Sequence, residues 1–498
     1  MNVLLICPKP EISTRSVYVP LGILSVATYL REHGHTVQFT DRSVRVEKLE
    51  TLISKFKPDI AGLSLMTTKA IRDARLVSET LRAHQIPVVW GGTLVSDPAF
   101  FLKSGYMDFV IKGEGEVTML ALIDALKTGA PFSEIKGLSY IDNGEPVVNE
   151  PRELADLADL PVIDWSFTDP SRYFSSFFAC NRMLYLYASK GCPCQCTYCT
   201  NKDYHRAICR KRPLEYVTRE ITHLVQAHGM DGVYFTDEYC CKTPDEMFEF
   251  CDSLKSIQLP FVWGATTKIN GFTVEDFRYM YDAGCRWLFF GIESGSKEML
   301  AKIKKGIAYD LIVETVENCL KAGIVAITAF IAGFPGETEQ QLRETVDLAF
   351  QMPGAMHVIN IFTPLPGSEL YQELKNEGKL KPPKSLEEVA SLTPFEQVFQ
   401  NFSNVPSRDL RVIRAFFLFA DLFRKKPSKE TKPFVLVSKV LREQFRDMSR
   451  DGFWMFFPNF AKTVILFLSL LADILCFPHI RKKYRLYTRV TKRIIKKL

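Results

Sequence analysis

The stretch Gly191-Cys192-Pro193-Cys194-Gln195-Cys196-Thr197-Tyr198-Cys199 carries the densest chemistry in this 498-residue sequence. Its Cys192-x3-Cys196-x2-Cys199 spacing puts three thiols on one short loop. Three thiolates suit a cubane iron–sulfur cluster, which has an iron at each corner, and they leave one iron open to a small molecule. An electron-transfer ferredoxin normally closes every corner. A zinc knuckle or a group of structural cysteines is the alternative, although zinc sites generally favour paired C-x2-C units.

Such a loop needs a scaffold. Strand-like apolar runs at 185–189, 232–235, 261–266, 287–290, 324–331 and 356–362 alternate with helical patterns at 213–228, 244–256, 274–283, 309–322 and 338–351. That α/β alternation predicts a partial (β/α)6 barrel over 180–380, with its site at the carboxyl ends of the strands. Upstream, apolar runs at 3–7, 37–41, 60–64, 88–90 and 109–111 alternate with helical patterns at 22–33, 47–56 and 68–84. These predict a doubly wound, Rossmann-like parallel sheet over 1–140, with a ligand crevice at its strand ends.

Ser64-Leu65-Met66-Thr67-Thr68, Gly91-Gly92-Thr93 and Gly113-Glu114-Gly115-Glu116 fall at those ends. Glycines there let a backbone approach a ligand and hydroxyls can bond its polar rim, but the same glycines also serve as plain turn residues. No G-x-G-x-x-G follows the first run, which disfavours a nicotinamide or flavin dinucleotide. Asp142-Asn143-Gly144-Glu145 reads as a tight hairpin, so 141–179 is hairpin and linker.

The cysteine spacing, with Tyr198 immediately before the last thiol, resembles the signature of the radical SAM (S-adenosylmethionine) superfamily. The resemblance implies a 4Fe–4S cluster on Cys192, Cys196 and Cys199, its open iron taking the amino and carboxylate groups of SAM. In that pattern Cys194 is a wall of the site. Asp237-Glu238 resemble the acidic pair for the SAM amino group, and Lys268 stands where relatives carry a basic partner for the carboxylate. Glu293, within Gly291-Ile292-Glu293-Ser294-Gly295, resembles the ribose- or methionine-contacting glutamate. Gly333-Phe334-Pro335-Gly336-Glu337 and Pro364-Leu365-Pro366-Gly367-Ser368 resemble the motifs of the fifth and sixth strands.

Tyr18-Val19-Pro20-Leu21-Gly22-Ile23, with the later glycine loops, resembles the cobalamin-binding domain that precedes many radical SAM domains. That likeness implies cobalamin contacts at Ser64, Thr67, Gly91, Gly92, Thr93, Gly113, Glu114 and Gly115. Better-known cobalamin proteins supply a histidine from a D-x-H-x-x-G loop after the first strand, whereas this loop reads Pro8-Lys9-Pro10-Glu11-Ile12-Ser13. A cobalt without a histidine from that position is expected, and His33 and His35 are read as solvated.

The combined resemblance implies cleavage of SAM to methionine and a 5′-deoxyadenosyl radical. Methylation of an unactivated carbon, or less often phosphorus, is the expected outcome. Oxidative cyclisation or rearrangement, as in the anaerobic magnesium-protoporphyrin monomethyl ester cyclase group, is the alternative, and a non-enzymatic corrinoid or Fe–S carrier is a third reading. The expected partners are a small-molecule or lipid-like substrate and an electron donor such as flavodoxin or ferredoxin.

Composition agrees with a folded chain: 47% of residues are hydrophobic and 24% charged. Thirteen cysteines, an odd number not spread as a disulfide framework, together with no signal-peptide pattern at Met1, lead us to expect an intracellular, cytoplasmic protein. Of the +6 net charge, the tail beyond Phe477 supplies more than all, through Arg481, Lys482, Lys483, Arg485, Arg489, Lys492, Arg493, Lys496 and Lys497. A general nucleic-acid surface is therefore not supported. The 381–498 region reads as helices, with apolar stretches at 415–420 and 464–468. The second stretch is too short to span a bilayer and is read as a buried helix closing the barrel mouth or, with the basic tail, a membrane-interface helix.

Overall fold

A computed structural model describes residues 1–10, 18–44, 47–391, 400–422 and 483–484. Strands β1 (Asn2–Cys7), β2 (Thr36–Asp41), β3 (Ile60–Ser64), β4 (Val88–Gly91) and β5 (Phe109–Ile111) form a parallel sheet in the order β2-β1-β3-β4-β5. The hairpin β6 (Leu138–Asp142) and β7 (Glu145–Val148) extends it antiparallel beyond β5. Helices α1 (Leu21–Glu32), α2 (Leu49–Phe56), α3 (Ile71–Ala83), α4 (Pro98–Leu102) and α5 (Glu116–Thr128) cover both faces.

Alternation sorts the side chains of this sheet. Val3, Leu5, Ile60 and Val89 share one core with residues of α1 and α5, while Leu4, Ile6, Leu63 and Trp90 share another with α2, α3 and α4. Burial on both faces is why these strands read as near-continuous apolar runs. The order reverses between β1 and β3, and that switch point sets the ligand crevice.

A second sheet begins with β8 (Ser175–Phe177), antiparallel to β9 (Cys180–Leu186). A two-stranded ribbon, β10 (Ser189–Lys190) with β11 (Arg210–Lys211), follows. The sheet continues through β12 (Gly232–Phe235), β13 (Val262–Thr267), β14 (Cys285–Glu293), β15 (Val325–Ala332) and β16 (Met356–Ile361). Its order is β8-β9-β12-β13-β14-β15-β16, with β9 and the later strands all parallel. Helices α6 (Asn201–His205), α7 (Leu214–His228), α8 (Pro244–Lys255), α9 (Val274–Asp282), α10 (Lys297–Lys302), α11 (Ile312–Lys321), α12 (Glu339–Gln351) and α13 (Glu369–Asn376) fall between and after the strands. Capping boxes at Thr273/Asp276 and Thr338/Gln341 start α9 and α12.

The first barrel strand differs from expectation: it starts at Cys180 and ends at Leu186, because Met183–Leu186 pair with Gly232–Phe235 while Ala188 turns away to bond Asp237. The edge strand β8 was not anticipated; it covers the side of β9 away from β12. His35 is also a correction. It is buried beside the N-terminal amine rather than solvated, while His33 is exposed and bonds Tyr29 O.

Beyond the barrel, α14 (Leu386–Ser391) returns to the first sheet's core through Leu386, Val389 and Ala390, and Arg72 and Arg75 pair with Glu387. Helix α15 (Ser407–Leu422) lays Phe416 and Phe417 against Phe350, and Phe417 against His357. Lys483, one of the basic tail residues, bonds Asp409 at 3.0 Å and also Glu339. The rest of that tail, the 464–468 stretch and positions 11–13 of the first loop lie outside the described residues. Among the described residues no helix is long and apolar enough to cross a membrane.

Trp287 closes the bottom of the barrel interior by crossing directly over Gly264; a Cβ there would lie 2.1 Å from the indole. Gly264→Ala is therefore expected to destabilise the fold by about 1–3 kcal/mol through overpacking. A urea titration checks this, and a wild-type midpoint would show that the indole is not held there.

Candidate active site

The cysteine loop leaves β10 and re-enters regular structure at α6, and several of its backbone groups are tied down. Asn201 grips Cys192 on both sides, accepting from its N–H at 3.1 Å and donating to its carbonyl at 2.5 Å. Thr197 donates to Ile303 O and accepts from Leu370 N, joining the loop to segments after α10 and at α13. Glu238 accepts from Gly191 N at 2.9 Å. Beneath the loop, Asp237 takes Ala188 N at 3.0 Å and Ser189 Oγ at 2.5 Å.

The four loop thiols are half-buried and none is in a disulfide. Burial pushes the Cys196 and Cys199 thiols up, and a hydrogen bond to Cys194 does the same for Cys192. Among the described residues no group of three His, Cys, Asp or Glu side chains could hold one metal ion, although thiolates on different corners of a cubane need not share a single metal.

Charged side chains line the rim of the loop. Lys268 Nζ donates to Cys194 Sγ at 2.9 Å and to the carbonyl of Gly306 at 3.2 Å. Buried Lys305 pairs with buried Glu293 at 2.7 Å and reaches Tyr198 OH at 3.3 Å. Glu293 has φ 74°, a left-handed conformation that costs a non-glycine residue, at a register shift between β14 and β15. The irregularity turns the carboxylate toward Lys305 at the strand end. Asp237 has both oxygens bonded beneath the loop, and its carboxyl is pushed up to about 6 by burial. Glu238 is the exposed member of that pair. Gly333 follows β15 and donates its N–H to buried Glu337.

At the first sheet's strand ends, Ser64 is half-buried, Thr67 and Thr93 are exposed, and Gly91, Gly113 and Gly115 are half-buried. Gly92 has φ 99°, and a Cβ there would lie 2.5 Å from Leu65 O, so only glycine lets these loops close on each other. Tyr18 and Met66 are large apolar side chains more than half exposed at this edge.

Both oxygens of Glu114 are held by Arg210, at 2.6 and 3.0 Å, with Lys190 at 3.7 Å. Burial would raise the Glu114 carboxyl, but the Arg210 hydrogen bond and the Lys190 charge bring it below the usual range. Lys190 also faces Glu116, which accepts from Ser25 Oγ at 2.6 Å, and Tyr204 OH donates to Gly113 O at 2.9 Å. The crevice edge and the cysteine loop are thus clamped together.

The family models agree with this arrangement: the Radical SAM superfamily model matches residues 186–349, and the B12 binding domain model matches residues 12–123. This chain is a cobalamin-binding member of the radical SAM superfamily. It is 29% identical over 384 residues to an uncharacterized methyltransferase of Pyrococcus horikoshii, covering 75% of this chain and 83% of that protein. It is 25% identical over 472 residues to the anaerobic magnesium-protoporphyrin IX monomethyl ester cyclase of Rubrivivax gelatinosus, covering 89% and 83%. The fold is that of the cobalamin-dependent S-adenosylmethionine radical enzyme OxsB with aqua-cobalamin bound: TM-score 0.71, 16% identity, 99% of this chain and 80% of that one.

The residues present fit the groups this superfamily member implies. Three thiols on one loop, with the Lys268 and Lys305 ammonium groups nearby, suit an anionic cluster, and exposed Tyr18 and Met66 suit a flat apolar macrocycle. Sequence reasoning missed Lys305, Lys190, Arg210 and Tyr204. Lys305 lies in the run Lys302-Ile303-Lys304-Lys305, which reads as a solvated face, and the other three show no motif.

A hydrogen bond from Cys192 and the adjoining Lys268 ammonium bring the Cys194 thiol down to about 5. In cluster-free protein at pH 6.5, iodoacetamide should therefore modify Cys194 before its three neighbours, and Lys268→Met should slow that reaction several-fold. Peptide mass spectrometry reads this; equal rates for all four thiols would contradict it.

Burial pushes the Glu337 carboxyl from 4.5 up to about 7. The folded protein then binds this proton more tightly than the unfolded chain, so stability falls as pH rises from 4.5 through about 7. Glu337→Gln should remove on the order of 1–3 kcal/mol of that loss. Urea midpoints at pH 5 and pH 8 test it, and parallel curves for variant and wild type would refute it.

Proposed function

We propose that the chain is a cobalamin-dependent radical SAM methyltransferase acting on an unactivated carbon of a small molecule. The observation that carries this reading is the clamp of Glu114, Arg210, Lys190 and Glu116, which holds the crevice of the B12 binding domain against the loop of Cys192, Cys196 and Cys199. A methyl carrier must come close to the substrate radical it serves, and a fixed contact between the two sites supplies that proximity.

When bound, the groups supply the chemistry that this fold is built to hold: electron transfer to SAM from a reduced cluster, and a methyl carrier in cobalamin. The chain's own residues do the positioning. Cys192, Cys196 and Cys199 would hold the cluster, and Asn201 fixes the first of them. Lys268 offers a cation for a carboxylate, while Glu238, Glu293 and Gly333 offer acceptors and close backbone for SAM. Lys305 holds the Glu293 carboxylate and Tyr198 hydroxyl in place. Ser64, Thr67, Gly91, Gly92, Thr93, Gly113 and Gly115 would border cobalamin. The twelve described cysteines lack disulfides, as a reducing cytoplasm with a flavodoxin- or ferredoxin-like electron donor would leave them.

Oxidative cyclisation is the second reading, favoured by the long match to the Rubrivivax gelatinosus cyclase. Methyl-labelled SAM separates the two. A methyltransferase yields both 5′-deoxyadenosine and S-adenosylhomocysteine and passes label into the substrate, whereas a cyclase needs only the first product. We expect both products, with each falling at least about tenfold in the Cys192/Cys196/Cys199→Ala triple variant for want of the cluster. Unlabelled, cyclised substrate with no substrate-dependent S-adenosylhomocysteine would overturn methyl transfer.

A further inference from the structure

The two faces of the barrel sheet are packed very differently. Outward-facing Leu186, Phe235 and Phe290 are at most 1% exposed beneath the helices. Their inward-facing neighbours Tyr185, Tyr234, Phe289, Ala329, Val358 and Asn360 all retain partial exposure. That concave face is floored by Trp287 with Phe177 against it, ring centroids 5.2 Å apart. Among the described residues of these strands, no charged side chain alternates onto it between the floor and the rim. The charges at the rim are engaged, Glu293 by Lys305 and Lys268 by Cys194.

On the crevice side, Tyr18 packs on Tyr185 with ring centroids 4.6 Å apart, so the aromatic lining runs on toward the B12 binding domain. Polar groups on the face are neutral: Asn360 and the Tyr234 hydroxyl, which already meets Thr266 Oγ1 at 2.8 Å. An accessible apolar wall with this composition favours an apolar occupant. A carboxylate or ammonium placed against it would lose water and find no charged partner.

We propose that this concave face receives an uncharged, largely apolar portion of the substrate, oriented by at most a hydroxyl or carbonyl reaching Asn360 or a tyrosine hydroxyl. The proposal rests on the reading that substrate reacts inside this barrel, and it adds the class of molecule admitted there.

Photolabelling of the reconstituted full-length protein tests it, using a long-chain alcohol that carries a diazirine and the carboxylic acid of the same chain length. The alcohol should label peptides containing Tyr185, Tyr234, Phe289 and Val358 at least about tenfold more than the acid, because the acid cannot be desolvated there without a partner. Phe289→Asp should abolish that labelling, and Ala329→Asp, a change at a smaller side chain, should lower it if the first variant does not fold. Equal labelling by acid and alcohol, or alcohol labelling confined to other segments, would overturn the proposal. Deoxyadenosine formation measured in the same samples reports separately on the radical SAM reading, so either idea can fail while the other stands.

Discussion

A half-buried set of opposite charges decides how this molecule is put together. Glu114 sits at the end of the first sheet and Arg210 on the ribbon beside the cysteine loop, and the side chains of both are 12% exposed. Lys190 links Glu114 to Glu116 behind them. Charges so withdrawn from water hold one another in place, and without Arg210 the Glu114 carboxylate would keep only Lys190 and the Ala155 N–H. Apolar packing alone would let two surfaces slide. A multidentate arginine–carboxylate contact fixes one orientation.

That orientation makes the cysteine loop a hub. It is bonded beneath by Asp237, at its start by Asn201 and Glu238, and in its middle by Thr197 to Ile303 and Leu370. Tyr204, on the helix that follows, reaches the carbonyl of Gly113 in the first sheet's crevice loop. Two glycine-rich strand ends and three thiols, distant in sequence, therefore share one boundary. At that boundary the backbone of Glu293 is irregular, with φ 74° at the register shift between β14 and β15.

Much of this was legible in the residues. Parallel strands covered on both faces leave apolar runs that are hard to miss, and Ile60–Ser64, Phe109–Ile111 and Gly232–Phe235 fall where the runs predict. The first barrel strand was misplaced because its opening residues Asn181 and Arg182 are polar and exposed, so its start leaves no hydrophobic pattern. The thiol loop was legible because its chemistry is local. The clamp was not: that Glu114 meets Arg210 depends on how the two sheets meet, and no local pattern encodes it. The partners of Asp237 and His35, Ser189 and the N-terminal amine, are likewise set by tertiary packing.

The clamp fixes the crevice of the B12 binding domain close against the cysteine loop. Electron paramagnetic resonance of protein carrying both cob(II)alamin and a reduced cluster measures this directly, since two nearby unpaired spins broaden each other. The arrangement described here predicts a cob(II)alamin signal that broadens when the cluster is reduced and sharpens again in Arg210→Met, where Glu114 loses its partner. A spectrum equal to the sum of two isolated signals in the wild-type protein would contradict it.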